Sequence, residues 1–254
     1  MTRIFKIPPI SLGDNNFIHV IEIEKIDEDF ANFIDEKIRL ITEGSTDTEI
    51  SIIKKRLYDF LQRKKGTTIE MGAVAEFMVH LYMNENGFKQ EFIFFNLEER
   101  SIKKGFDGYY TIGDEEWILE SKSGTISTAG ISHVSKFSEG YADLKKKVKD
   151  AAGNNPWRNA YYHSCHRPVN SADDIIKNLK NLAEDFDRGI YKEIENLNVL
   201  PAATIFLEDN WSLIDQSKLL SDIQTSLSTK KYKGINILCV NNKSLNLLEN
   251  YLNA

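Results

Sequence analysis

The sequence predicts an α/β protein whose core is a mixed β-sheet flanked by helices. Three strand-like segments follow one another between residues 88 and 122, which suggests an antiparallel meander. Two short apolar segments, 202–208 and 234–240, have the composition of buried strands, and each is followed by a helical pattern. Helical patterns fill most of the remaining chain, so we expect helices to cover the sheet.

The N-terminal part of the chain predicts one strand and three helices. Apolar and polar residues alternate over 17–25, which is typical of a half-buried strand. The three helical patterns cover about residues 27–42, 46–65 and 69–86. Thr67 or Thr68 can cap the third helix, and Gly87 ends it.

The third predicted helix has an unusual face. Gly72, Ala73, Glu76 and His80 recur at three- and four-residue steps and therefore lie on one side of the helix. The small residues predict a close approach to the sheet. Glu76 is then the conspicuous polar group on that side.

A predicted hairpin near the middle of the chain contains three charged residues, Asp107, Glu120 and Lys122. Alternation along its second strand places Glu120 and Lys122 on the same face. With an even number of loop residues over 113–116, Ile112 pairs with Trp117 and Asp107 becomes the cross-strand neighbour of Lys122. An odd loop would turn Asp107 to the opposite face.

These charges predict a metal site. Buried without partners, two carboxylates and an ammonium would cost on the order of several kcal/mol, so something must compensate them. The Asp107 and Glu120 carboxylates and the backbone carbonyl of Ser121 are oxygen ligands of the kind that Mg²⁺ prefers. A bound metal polarises a phosphodiester, Lys122 serves the attacking water, and Glu76 offers a further carboxylate. A salt bridge in an edge hairpin is the alternative.

Composition narrows the class of protein. The net charge of −6 gives no general attraction to nucleic acid, so DNA binding would depend on local basic patches. The sequence has two cysteines and no long uncharged apolar segment, which predicts a cytoplasmic protein that does not enter a membrane. We expect a single domain over residues 1–254, with residues 1–65 as a separate helical lobe being the alternative.

In chain order, Glu76, "GFDGYY" with Asp107, and "ILESK" with Glu120 and Lys122 resemble the motifs of the PD-(D/E)xK nuclease superfamily. Its restriction-endonuclease-like fold surrounds a mixed sheet with helices. Within it, "MGAVAEF", "KGFDGYY" and "WILESK" are similar to the HamA family, the nuclease subunits of Hachiman anti-phage systems. Leu119 stands where many members of the superfamily carry glycine.

The resemblance implies DNA cleavage that depends on Mg²⁺, or on Mn²⁺ in its place. Asp107 and Glu120 would be metal ligands, Lys122 would serve the water, and Glu76 would assist. It also implies low sequence specificity and a HamB-like helicase partner that restrains the nuclease. Two alternatives stay open: a non-catalytic DNA- or partner-binding subunit that retains the fold, and a stand-alone restriction endonuclease, for which no base-reading element is identifiable.

Three other segments carry weaker signals. The basic segments 53–65 and 143–150 are candidates for phosphate contacts, with solvated helix faces as the alternative. Within the second segment, Asp143 and Lys145 are expected to form a solvated pair. His163, Cys165 and His166 invite a transition-metal interpretation, but no fourth ligand lies near them in sequence, so we expect a structural role.

Overall fold

The structure is a computed structural model that describes residues 3–14, 16–95, 105–149 and 154–253. The strands in these ranges are β1 (Ile10–Gly13), β2 (Asn16–Ile23), β3 (Lys89–Gln90), β4 (Gly108–Ile112), β5 (Glu115–Thr125), β6 (Asn198–Phe206) and β7 (Gly234–Asn242). The helices are α1 (Glu28–Glu43), α2 (Ile50–Lys64), α3 (Thr68–Glu85), α4 (His133–Lys147), α5 (Pro156–Ser164), α6 (Asp173–Asp187), α7 (Gln216–Leu227) and α8 (Asn246–Leu252). None of these helices is both long and apolar enough to cross a bilayer.

All of these strands belong to one mixed sheet, in the order β1-β2-β7-β6-β5-β4-β3. The central strands β2, β7, β6 and β5 are parallel, while β1, β4 and β3 run antiparallel to their neighbours. Strands β6 and β7 are buried along their whole length, as expected for parallel strands covered on both faces. The predicted α/β class with a mixed sheet and flanking helices is confirmed.

The sheet separates two hydrophobic cores. Helices α1, α2, α3 and α8 pack on one face, together with the side chains of Trp117 and Leu119. Helices α4 to α7 pack on the other face, with Ile118. The described part of the first 65 residues therefore belongs to this sheet and its covering layer, since β2 pairs with β7 and α1 and α2 lie in the first core.

The first three predicted helices all form, with one boundary shifted. Asp27 caps α1, and Thr67 caps α3 by accepting the N–H of Glu70. Helix α2 begins at Ile50 instead of Thr46. The hydroxyls of Thr46 and Thr48 donate to the carboxylate of Glu43, and these bonds compete with helix formation at that point.

The strand predicted over 88–96 is mostly absent, because only Lys89–Gln90 pairs as β3. The following backbone turns away from the sheet and meets the end of α1. There Phe94 N–H donates to the carbonyl of Ile41 (2.8 Å) and Phe95 N–H to that of Thr42 (3.3 Å). These carbonyls have no partner inside their own helix, so the segment satisfies them in place of a strand. The last predicted strand residue, Asn96, lies outside the described residues.

Helix α4 lies very close to β5 at Gly140. A Cβ atom built on Gly140 would lie 3.1 Å from the carbonyl oxygen of Glu120 and 3.7 Å from Cγ of Lys122. A box of reciprocal bonds between Ser132 and Ser135 fixes the start of the helix. The absence of a side chain at Gly140 thus brings the last turns of α4 against the strand residues that carry the predicted site.

We expect Gly140→Val to lower the free energy of unfolding by about 2 kcal/mol, because the added methyl groups push against the β5 backbone. Gly72→Val on α3 is the matched control, since nothing lies within 4 Å of a Cβ at Gly72. The control should change stability by no more than about 0.5 kcal/mol. Urea denaturation measures the free energy of unfolding of both variants. Equal losses for Gly140→Val and Gly72→Val would show that the close α4–β5 contact does not limit side-chain size at Gly140.

Candidate active site

The β4–β5 hairpin has an even loop, as predicted, but its register differs by two residues. Ile112 pairs with Glu115, and Trp117 pairs with Tyr110. The predicted pairing of Ile112 with Trp117 is wrong because the turn contains two residues instead of four, with Gly113 at a φ of 55°. A shift of two residues preserves the faces of the strands, so extending the register places Asp107 opposite Glu120 instead of Lys122.

Asp107 lies immediately before β4 and reaches across to β5. Its backbone N–H donates to the carbonyl of Leu119 (3.0 Å), and its Oδ2 accepts the backbone N–H of Ser121 (2.8 Å). The carboxylate therefore replaces a neighbouring strand as the hydrogen-bond acceptor for β5. This contact holds Asp107 beside the segment that contains Glu120 and Lys122.

Glu120 is the most buried of the three charged residues, with 3% of its side chain exposed. Its Oε1 lies 2.9 Å from Nζ of Lys122, and its Oε2 forms an ion pair with Lys147. Burial, and after it the charge of Asp107, raise the pKa of Glu120 to about 7, although Lys147 and Lys122 act to lower it. The site thus holds a carboxylate whose ionised form depends on nearby positive charge.

Lys122 is held between two carboxylates. Its Nζ lies 2.9 Å from Glu120 and 2.6 Å from Oδ2 of Asp143 on α4. Burial alone lowers the pKa of Lys122, but the charge of Glu120 and the bond to Asp143 outweigh it and raise this pKa above its usual value. Lys122 is therefore a fixed ammonium in this structure and not a free base.

Two residues of α4, Asp143 and Lys147, belong to the site and were not predicted to do so. The expected solvated pair of Asp143 with Lys145 is wrong, because Asp143 instead binds Lys122. The spacing of Gly140, Asp143 and Lys147 places all three on one side of a helix. This spacing is visible in the sequence and groups the three residues, but it does not indicate which strand that side of the helix contacts.

Glu76 does not join the other predicted site residues in the described contacts. Its helix packs in the core on the opposite face of the sheet, and its charge acts on the phenol of Tyr110. Glu76 lines a cavity of about 360 Å³ with residues of α2 and α3 and with Phe94 and Phe95. The predicted close approach at Gly72 is wrong, since that glycine borders this space.

The predicted ligand set fits a hard divalent cation. Asp107 Oδ1 accepts no hydrogen bond from the described residues, and Glu120 already attracts two ammonium groups. No group of three or more His, Cys, Asp or Glu side chains in the described ranges is arranged to hold a metal ion, so the predicted set contains only two carboxylates and the Ser121 carbonyl. Mg²⁺ commonly takes one or two protein carboxylates and keeps several waters, which agrees with this set.

His163 and most basic residues of segment 53–65 contact other residues of the chain. The ring of His163 stacks on Phe92 with centroids 4.1 Å apart, and its Nδ1 accepts the N–H of Ile93 (3.3 Å). Most basic residues of segment 53–65 pair with acidic residues of the chain: Lys54 with Asp35, Lys55 with Asp59, Arg56 with Glu43, and Lys65 with Glu249. These pairs favour the solvated-face alternative for that segment.

The raised pKa of Glu120 predicts a pH-dependent stability. The folded state binds this proton more tightly than the unfolded state, so its contribution is present at low pH and is lost as the pH rises through 7. Between about pH 5.5 and 8, wild type should lose about 2 kcal/mol relative to Glu120→Gln. Urea denaturation of both proteins at the two pH values measures the difference, and a pH-independent difference would contradict the prediction.

Comparison with known proteins adds no family to this description. No protein-family model and no curated protein matches the chain. The evidence for a function consists of the arrangement of Asp107, Glu120 and Lys122 and the resemblance of the motifs that contain them.

Proposed function

We propose that this chain is a metal-dependent nuclease that hydrolyses DNA phosphodiester bonds. One observation carries the proposal: Asp107, Glu120 and Lys122 converge where β4 begins, although they lie in two different strand segments. Charges are costly in a sheet, and a purely structural hairpin has no need of them. The convergence agrees with the order of motifs that resembles the PD-(D/E)xK superfamily.

Each residue has a distinct role in the proposed reaction. Asp107 Oδ1, Glu120 and the Ser121 carbonyl would hold the cation. Mg²⁺ bound there would polarise the phosphodiester and lower the pKa of a bound water. Lys122 keeps its proton through its contacts with Asp143 and Glu120, so it acts as a fixed positive charge that orients the water and stabilises the charge developing on the phosphate.

The surface beside this site favours a polyanionic substrate. Lys145 and Lys146 are exposed at the end of α4, in the same turn as Asp143 and Lys147, which contact Lys122 and Glu120. An overall charge of −6 gives no general attraction to DNA, so such a local cluster would have to supply it. DNA is the nucleic acid implied by the motif resemblance.

The cleavage proposal predicts that Glu120→Gln and Lys122→Met each slow plasmid cleavage in Mg²⁺ by at least about 100-fold, because each removes a charge that acts on the reacting groups. The assay uses the purified chain, with and without the helicase that the resemblance implies. Lys180→Met is the control, since Lys180 lies on α6 and contacts Glu184 (3.8 Å).

Equal cleavage by wild type, Glu120→Gln and Lys122→Met in both conditions would overturn the active-site assignment. The protein would then fit the alternative of a binding subunit that retains the fold without catalysis. Wild-type cleavage that the control variant preserves and the two site variants lose would support the enzyme.

We further propose that the nuclease acts in an anti-phage defence system and is restrained by a helicase subunit. This proposal is supported by the similarity of "MGAVAEF", "KGFDGYY" and "WILESK" to the Hachiman nuclease subunits. It predicts that a helicase encoded beside this gene co-purifies with the chain and suppresses its cleavage of intact plasmid. A neighbouring helicase that neither binds the chain nor changes its cleavage rate would contradict the proposal.

A further inference from the structure

Both carboxylate oxygens of Glu120 are engaged by ammonium groups from different elements. Oε1 contacts Lys122 from the same strand, and Oε2 contacts Lys147 from the last turn of α4. With 3% of its side chain exposed, Glu120 has little contact with solvent. Each Glu120 oxygen therefore already has an ammonium partner, and a cation that binds this carboxylate competes with it.

The contacts identify Lys147 as the group that leaves. Lys122 also binds Asp143 (2.6 Å), so it keeps a carboxylate partner when Glu120 binds something else. For Lys147, Glu120 is the sole ion-pair partner within the described ranges. Lys147 is also near the end of its helix, and 22% of its side chain is already exposed, so its flexible stem can swing outward.

We propose that Lys147 is a resident counter-cation of Glu120 that a divalent cation must displace, and hence a positioning residue that sets the metal affinity of the site. The inference rests on the proposed function. In the metal-free protein Lys147 compensates the buried carboxylate, as a buried charge requires. Because the metal has to displace Lys147, it binds more weakly than it would bind to the two carboxylates alone. This competition restrains the conversion of the metal-free protein to the active enzyme.

The displaced ammonium also gains a new position. Lys147 then joins Lys145 and Lys146 as an accessible cation at the end of α4. A phosphate group bound near that helix end offers Lys147 a replacement anion. Metal binding and phosphate binding would therefore favour each other, because the metal frees Lys147 for the phosphate, and the phosphate removes Lys147 from competition for Glu120.

The first test measures Mg²⁺ binding to the full chain by calorimetry without DNA, at pH 8.5, where Glu120 is ionised. Lys147→Met should bind Mg²⁺ at least about tenfold more tightly than Lys145→Met, which removes the same charge from an exposed site on the same helix. Lys147→Arg should bind like wild type, because it keeps the competing cation. Equal affinities of Lys147→Met and Lys145→Met would overturn the proposal.

The second test uses wild type and so does not depend on how a variant folds. Acetylation of surface lysines, read out by mass spectrometry, should label Lys147 several times faster after addition of Mg²⁺. Lys145 and Lys146 serve as internal controls and should keep their rates. An unchanged rate at Lys147 at saturating Mg²⁺ would overturn the proposal.

Glu120→Gln separates the two proposals. If wild type binds Mg²⁺ and Glu120→Gln loses that binding, the proposed metal site is supported. The effect of Lys147→Met then tests only the proposed role of Lys147 as a counter-cation. If neither wild type nor Lys147→Met binds Mg²⁺, both the proposed function and the role of Lys147 are overturned.

Discussion

The compensation of one buried carboxylate determines how this part of the molecule is built. Glu120 lies in a strand covered by a helix, where an unpaired negative charge is costly. The ammonium groups that compensate it come from the strand itself and from α4. Helix α4 can supply the Lys147 ammonium only because Gly140 allows the helix backbone to lie against β5. Electrostatics and close packing are thus two parts of the same constraint.

The constraint extends to the residues around Glu120. Asp143 fixes Lys122 from one side, and Asp107 adds a second negative charge that raises the pKa of Glu120. The local charges nearly balance. The three carboxylates of Asp107, Glu120 and Asp143 lie around the two ammonium groups of Lys122 and Lys147. Such a cluster is poised to accept a further positive charge, which is the electrostatic property that a cation site requires.

Much of this arrangement was predictable from sequence, and the misses have physical causes. Alternation gave the faces of Glu120 and Lys122 correctly because the side-chain period of a strand is fixed. Alternation could not give the register of the hairpin. Loops of two and of four residues place each side chain on the same face of the sheet and differ only in which residues pair across the strands.

The contributions of the helices were harder to predict. Helical spacing groups Gly140, Asp143 and Lys147, or Gly72 and Glu76, on one side, but it does not indicate which face of the sheet that side meets. Glu76 consequently lies on the face opposite to the expected one. The segment after β3 was misassigned because its hydrogen bonds go to the distant carbonyls of Ile41 and Thr42, and such long-range partners leave no local pattern.

The bond from the Ser121 N–H to Asp107 has a consequence for the exposed edge of the sheet. Among the described strands, none pairs with β5 on the β4 side beyond Leu119, so the strand presents a short open edge there. Open edges invite association with strands of other molecules. A carboxylate is a poor template for a further strand, since it accepts hydrogen bonds but donates none. Asp107 thus discourages pairing with another protein backbone while leaving the edge accessible to a solvated ligand.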